Sequence, residues 1–447
     1  MMFRPLPVLA CLALTACAAG PDYTAPEIGL TSTFAEGDAG PIGQVGARRW
    51  WTDLNDPLLN DLVTRGLAQN LSLAAAEERI AAARAALAQT GVRAAVDGGL
   101  SAGSTRGGSD VQAAGTRSST TLTADIAIDL FGRVARARQS AAADLGAAEA
   151  GAGVTRLAYL SGIVGAYIEA RYAQNALALT RQTITTRERT LEITRNQRAS
   201  GAATELDEAQ VLALLDTARA DIPRLEATFL SNVYALATLL AEPAAPLVTR
   251  MQRGAPQPRP RGTAATGIPA DLVRNRPDVR QAERQFAAAV ADVGVAAAQM
   301  YPSLSLSGSV TEGGNSAWSF GPSITQAILG LPRQRAARQQ AEAQAREAEI
   351  AWRAAVLDAV EDVQTTNSTW RRDQQRAALL GRSVGSYDRA LTLSQENFSA
   401  GALSLLDLLD TDRALAQARL AEAAAIRDVA VNWATLQVAL GAGAFAR

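Results

Sequence analysis

The sequence predicts a mixed fold of long helices and membrane-spanning β-strands, four strands to a chain, which several chains pool into one closed barrel. Three observations predict it. Two hairpin-like segments alternate apolar with hydroxyl-bearing residues, so each strand shows one apolar and one polar face. Two proline-free stretches, Arg133 to Ala199 and Arg333 to Ala400, are each long enough for a helix of about 100 Å. The amino terminus reads as an export signal rather than a structural element.

The signal comes first in the chain. "MMFRPLPVLACLALTAC" carries the basic Arg4, an apolar run from Leu6 to Leu14, and then small residues. That run is too short to remain in a bilayer as a spanning helix. "LTAC", Leu14 to Cys17, resembles a bacterial lipobox, which implies removal of residues 1–16 and acylation of Cys17. The alternative is ordinary cleavage nearby, with Cys17 incidental. Ala18 follows the cysteine where an acidic residue does not, which resembles sorting to the outer membrane. No later run reaches about eighteen apolar residues, so no helix is expected to cross a membrane.

Composition removes most catalytic chemistry. The 447 residues carry a net charge of -1, which gives no reason to expect nucleic acid as a partner. All 43 basic residues are arginine, with no lysine and no histidine. Phosphate-loop and Schiff-base lysines are therefore absent, as are histidine triads and His-zinc sites. The two cysteines, Cys11 and Cys17, both lie in the first twenty residues, which leaves no disulfide for the rest. With four methionines and no histidine, a metal-ion relay is disfavoured. No enzyme, cofactor or metal site is expected.

The remainder repeats one plan at an offset of about 200 residues. "RNQRASGAATELDEAQ" (Arg195 to Gln210) aligns with "QENFSAGALSLLDLLD" (Gln395 to Asp410), matching Gly201 to Gly401 and Asp207 to Asp407. Each half reads helix, hairpin, long helix, Gly turn, helix. Both long helices end at a glycine suited to a helix C-terminus. Their apolar positions are mostly Ala with scattered Leu, Ile and Val, which suits close packing in coiled-coil-like hairpins. Between the halves, Pro243 to Thr263 is rich in proline and reads as a linker that cannot be helical.

The strands follow from the period of two. "PSLSLSGSV" (Pro302 to Val310) sets Leu304, Leu306 and Val310 against Ser303, Ser305, Ser307 and Ser309. "TTLTADIAIDLFG" (Thr120 to Gly132) sets Leu122, Ala124, Ile126 and Ile128 against Thr121, Thr123, Asp125 and Asp129. "AWSFGPSIT" (Ala317 to Thr325) alternates likewise, and Gly99 to Ser104 is a weaker fourth strand. The stretch from Gly103 to Thr116 reads as a solvent loop. A soluble sheet packed on helices would alternate in the same way. At the outer membrane, however, only closed barrels satisfy their backbone. Such barrels start at about eight strands; two chains would give eight, and three would give twelve.

At this point the chain resembles the outer membrane factor family, the TolC- and OprM-like exit ducts of tripartite efflux systems. The resemblance rests on "CAAGPDYTAP" (Cys17 to Pro26), "RWWTDLNDPLLNDLV" (Arg49 to Val63), "IPADLVRNRPDVRQAE" (Ile268 to Glu283), "AQMYPSLSLSGS" (Ala298 to Ser309) and "SAGALSLLDLLDTDRAL" (Ser399 to Leu415). It implies a homotrimeric TolC-like duct: a twelve-stranded β-barrel continuous with a long periplasmic α-helical barrel, lipid-anchored in the outer membrane. The implied partners are a periplasmic membrane-fusion adaptor, an inner-membrane resistance-nodulation-division (RND) pump and outer membrane lipid. The implied function is passive conduction of small molecules such as drugs. A duct for a protein-secreting type I ABC system is the alternative within the fold, and a poreless coiled-coil lipoprotein the alternative outside it.

On this reading residues 17–55 form an acylated equatorial segment and 56–242 the first repeat, with its hairpin at about 95–130. Residues 243–267 form an equatorial linker and 268–441 the second repeat, with its hairpin at about 303–326; 442–447 are a tail. In the family the periplasmic mouth is shut by apolar and acidic rings on the inner hairpin. The matching residues are Leu406 and Asp410, i and i+4 on one helix face, with Arg413 one turn on. Asp407 is expected to cap its helix. Gly201, Ala202, Gly401 and Ala402 match adaptor-contact tips. Phe131, Tyr301 and Trp318 flank strands as candidate girdle residues.

Overall fold

The computed structural model describes residues 18–445 except 38, 39, 41, 94, 95, 262–264 and 315. Its elements are α1 (Pro57–Gln69), α2 (Leu71–Arg93), β1 (Val96–Ser109), β2 (Gln112–Ile128), α3 (Arg133–Ala199), α4 (Glu205–Leu239) and α5 (Ala244–Met251). They continue as α6 (Pro269–Asn275), α7 (Pro277–Ala298), β3 (Ser303–Gly313), β4 (Ala317–Thr325), α8 (Leu331–Ser399) and α9 (Leu405–Ala439). The chain divides into two compact units. One comprises Met1–Gly29, Ala76–Ala152 and Asp278–Val356; the other comprises Leu30–Ala75, Gly153–Pro277 and Leu357–Arg447.

The first unit holds one antiparallel sheet in the order β1-β2-β3-β4. Its register places like residues side by side, because a slip of one residue would turn every apolar side chain to the wrong face. Ile128, Leu304 and Ile324 share a rung, then Val96, Ile126, Leu306 and Pro322. Gly98, Ala124, Gly308 and Phe320 make the third, and Leu100, Leu122, Val310 and Trp318 the fourth. Among the described residues no helix covers this face: Leu100 is 72% exposed and Trp318 81%. The opposite face carries Thr121, Thr123, Asp125, Ser305, Ser307, Ser309, Ser319 and Ser323.

One expectation for the sheet needs correcting. The segment read as a solvent loop is mostly ladder, with Gly103 paired to Ser119, Arg106 to Thr116 and Ser109 to Gln112, across a bulge between Gly107 and Ser109. Only Asp110 and Val111 turn. β3 ends opposite Ser119, so this arm continues beyond the second hairpin. Both sides of such an arm are exposed. Nothing there selects apolar residues, so the period of two vanishes while the backbone bonds persist.

Helices around the sheet pack on small residues. Phe286, Val290 and Val293 of α7 meet Ala341 and Ala345 of α8. Gly20, at φ +88, lies so close to Gly294 that a Cβ would fall 2.5 Å from its Cα.

The second unit has a larger core. Trp50, fully buried, stands edge-to-face with Trp51 and Trp433 at 6.0 and 5.8 Å, and its Nε1 donates to the Ala442 carbonyl at 3.1 Å. The linker between the halves is the second correction. Ala244–Met251 is a helix, because Pro243 stands just before its first residue and Pro246 falls in its first turn, where a missing N–H costs nothing. The prolines that forbid helix, Pro256, Pro258 and Pro260, follow its end. Pro332 obeys the same rule at the start of α8.

Each helical hairpin closes in a Schellman turn. Ala202 N–H donates to the Gln197 carbonyl and Gly201 N–H to that of Arg198; Ala402 and Gly401 donate to Asn397 and Phe398. Gly201 and Gly401 hold φ of +78 and +71. The same turn ends α4 and α9, with Ala241 at φ 52 where the second repeat has Gly441.

Candidate functional site

Three places gather the candidate residues. The sheet itself is the first. Its hydroxyl-bearing face is knitted across strands: Thr121 and Thr311 hydroxyls lie 3.0 Å apart, Ser309 and Ser319 2.8 Å apart, and Ser307 donates to Asp125. Both faces are polar-satisfied or apolar as a membrane wall requires, yet the outer edges of β1 and β4 have no strand partner among the described residues. An exposed edge is a pairing template.

The second place is the foot of the sheet. Phe131 and Tyr301 stack at 4.7 Å with planes 14° apart. Trp318 is not with them; it stands on the highest apolar rung, beside Val310. Cys17 lies outside the described residues, but the segment after it is held here. Ala19 N–H donates to the Phe131 carbonyl at 3.0 Å. Arg136, only 3% exposed, donates to the carbonyls of Ala19 and Gly20 and pairs with Asp22 at 2.8 Å. Sequence reasoning missed Arg136, since one arginine among 43 carries no signal of burial. Tyr23 extends this strap, donating to Glu283 at 3.0 Å and meeting Phe286 edge-on. Burial and then the Glu283 carboxylate push its phenol up to about 12.

The hairpin ends are the third. Leu406 is 56% exposed at the start of α9, whereas Leu405, Leu408 and Leu409 turn inward onto Val211, Leu215, Leu391 and Phe398. Asp410 and Arg413 are exposed and pair with one another at 2.8 Å within the helix. Asp407 interlocks with Ser404 at the helix N-cap. The two tips differ in chemistry. At the first, Arg195 and Arg198 both donate to Glu208, and those bonds hold its carboxyl below the ordinary glutamate range. The second repeat has Leu408 at that position.

A buried ion pair beside these residues went unread. Arg187 Nε meets Asp412 Oδ2 at 2.7 Å, with the two side chains 7% and 9% exposed, and Arg187 Nη1 donates to the Leu214 carbonyl. It ties α9 to α3. In "LLDLLDTDR" Asp412 is one of three nearby carboxylates; only the helix phase, which turns 408, 412 and 415 inward together, distinguishes it. Among the described residues no cluster of His, Cys, Asp and Glu could hold a metal, and no helix is long and apolar enough to cross a membrane.

Comparison with known proteins gives consistent matches. The family described as outer membrane efflux protein matches residues 62–242 and 268–442. Nodulation protein T of Rhizobium leguminosarum bv. viciae is 37% identical over 99% of this chain and 94% of its own length. The pyoverdine export outer membrane protein OpmQ of Pseudomonas aeruginosa is 29% identical over 91% and 90% respectively. The solved outer-membrane channel OprN superposes with a TM-score of 0.86 at 29% identity, over 96% of this chain and all of that one.

Proposed function

The chain belongs to the outer membrane efflux protein family, and from that premise we propose that three copies join their sheets into a twelve-stranded barrel that passively conducts small molecules outward. The fold is the TolC-like one, and the family comprises channels rather than enzymes. The observation that carries the trimer is the sheet with two open edges and two unlike faces. Four strands cannot close, and β4 of one copy can pair with β1 of the next. The apolar rungs then meet lipid, and the hydroxyl face lines water. Nine residues separate Tyr301 from Val310, the partner of Trp318. Along a strand tilted by about 40° they rise about 23 Å, close to the apolar height of such barrels, about 25 Å. Phe131 and Tyr301 then mark one interface and Trp318 the other.

The remaining assignments follow the same reading. Cys17 carries the lipid anchor, and the Arg136 strap holds residues 19–22 at the barrel foot. Residues 17–55 and 243–267 form the belt around two repeats, 56–242 and 268–441. The exposed turns at Gly201, Ala202, Gly401 and Ala402 offer backbone without bulk to a periplasmic adaptor, through which an RND-type pump supplies the energy. Leu406, Asp410 and Arg413, each on the solvent face of α9, form the closing rings. The relative named for pyoverdine export favours a small-molecule cargo. Native mass spectrometry in mild detergent tests the assembly: a trimer is expected, and a stable monomer or dimer overturns it.

A further inference from the structure

The foot of the sheet contains a hollow of about 460 Å³. Ile128 and Leu304, the lowest apolar rung, form one wall, and Phe131 and Tyr301 another. Arg133 and Arg333, two residues at matching places in the two repeats, both line it. Among the described residues neither makes an ion pair or a side-chain hydrogen bond. Asp129, the carboxylate on the same wall, instead accepts from Ala135 N–H at 2.9 Å. Gln334 also lines the hollow, with its side-chain carbonyl oxygen buried and unpartnered.

Both arginines are exposed, so water rather than a protein acceptor meets their charge. Each arginine sits in the first turn of a long helix that has no acidic residue there. The positive end of a helix dipole repels them. An anion in the hollow removes that penalty, and two guanidinium forks match phosphate geometry. The adjoining apolar rung and ring faces match hydrocarbon. A free phosphate would use only half of these surfaces.

We propose that the hollow is a site for an anionic phospholipid of the periplasm-facing leaflet. Its phosphate lies between Arg133 and Arg333. The first acyl carbons run along Ile128, Leu304 and the Phe131–Tyr301 stack. The proposal rests on the barrel reading above, which puts this end of the sheet at the periplasmic interface. Occupied, the site fixes the barrel's height in the bilayer at the level of the strap that carries the lipid anchor.

The test uses full-length protein, delipidated and titrated in detergent with dioleoyl phosphatidylglycerol or dioleoyl phosphatidylcholine, with native mass spectrometry as readout. With two arginines facing the anionic headgroup, phosphatidylglycerol should be retained at least about tenfold more tightly than phosphatidylcholine. Arg133→Gln with Arg333→Gln should abolish that preference while trimer and conductance persist, and the double lysine variant should keep most of it. Undiminished preference in the glutamine variant overturns the proposal. So does dissociation of that variant, which would make the hollow a subunit contact, and so does displacement by millimolar inorganic phosphate, which would make it a plain anion pocket. Failure of the barrel reading shows separately, as wild-type protein that neither trimerises nor conducts.

Discussion

Asp412→Ala is the sharpest test of how the inner hairpin is held. In the native protein Arg187 has the Asp412 carboxylate at 2.7 Å and the Leu214 carbonyl at 2.7 Å, with the pair almost wholly out of water. Removing the carboxylate leaves a buried cation with one neutral acceptor. Losing one member of a buried pair costs about 3–5 kcal/mol, equivalent to roughly 10²- to 10⁴-fold in a local equilibrium. The start of α9 rests mainly on Leu405, Leu408, Leu409 and Leu415, so that cost should appear as local opening rather than global unfolding. Hydrogen exchange of amides from Leu408 to Leu415 should accelerate by about that factor. Arg413→Ala is the control, since its pair with Asp410 is half exposed; such pairs are worth about 0–1 kcal/mol, or at most about fivefold. Arg187→Met with Asp412→Leu should restore slow exchange, because an apolar pair of similar volume carries no desolvation cost. Exchange in Asp412→Ala no faster than in the control would refute the reasoning.

Other expectations follow from single residues. Leu306→Arg puts charge on an apolar rung near mid-height and should cost roughly 2–4 kcal/mol per protomer, read as loss of detergent-resistant trimer; Ser305→Arg, on the hydroxyl face, should assemble normally. Leu406→Ala with Asp410→Ala should leave the trimer folded and raise its conductance in planar bilayers, and unchanged conductance would place the constriction elsewhere. Ala241→Gly relieves a left-handed alanine at φ 52, a net gain of about 0.5–1 kcal/mol after the extra chain entropy of glycine. Amides around residue 240 should then exchange roughly two- to fivefold more slowly. Gly441→Ala should do the reverse and more, because its Cβ would meet the Asn275 carbonyl oxygen at 2.4 Å. Asp271 is 1% exposed; burial raises its carboxyl, but bonds from Ile42 N–H, Ile268 N–H and Arg274 outweigh that and hold it low. Its folded pKa lies below the unfolded value, so its stabilisation is complete above about pH 4 and disappears as pH falls through the folded value. Asp271→Asn should flatten that acid limb of the thermal-stability profile.

Much of the fold was legible because two simple signals carry it. Alternation at Leu304, Leu306 and Val310, and at Leu122, Ile126 and Ile128, marks strands wherever the two faces meet different solvents. The long helices were legible through the absence of proline and the glycines at 201 and 401, which alone can take the left-handed turn cheaply. What failed did so where those signals stop. The arm from Gly103 to Thr116 has water on both faces and so has no period. Ala244–Met251 was hidden by prolines whose positions, before and within its first turn, do not oppose a helix.

The site residues divide along a different line. Leu406, Asp410 and Arg413 were proposed from a motif, and all three are exposed on α9. Arg136 and Arg187 were invisible, because burial of a charge depends on partners more than a hundred residues away: Ala19 and Asp22 for one, Asp412 for the other. A chain with no lysine makes this worse, since every cation looks alike in sequence. Yet the choice of arginine has a physical consequence. Its fork can bond two acceptors at once, and Arg136 and Arg187 each use it to hold one segment against another. The strap at the sheet foot and the inner hairpin are each fixed by one such clamp. Arg133 and Arg333 have the same fork and, like other exposed arginines, no acceptor among the described residues; what sets them apart is that both line one hollow.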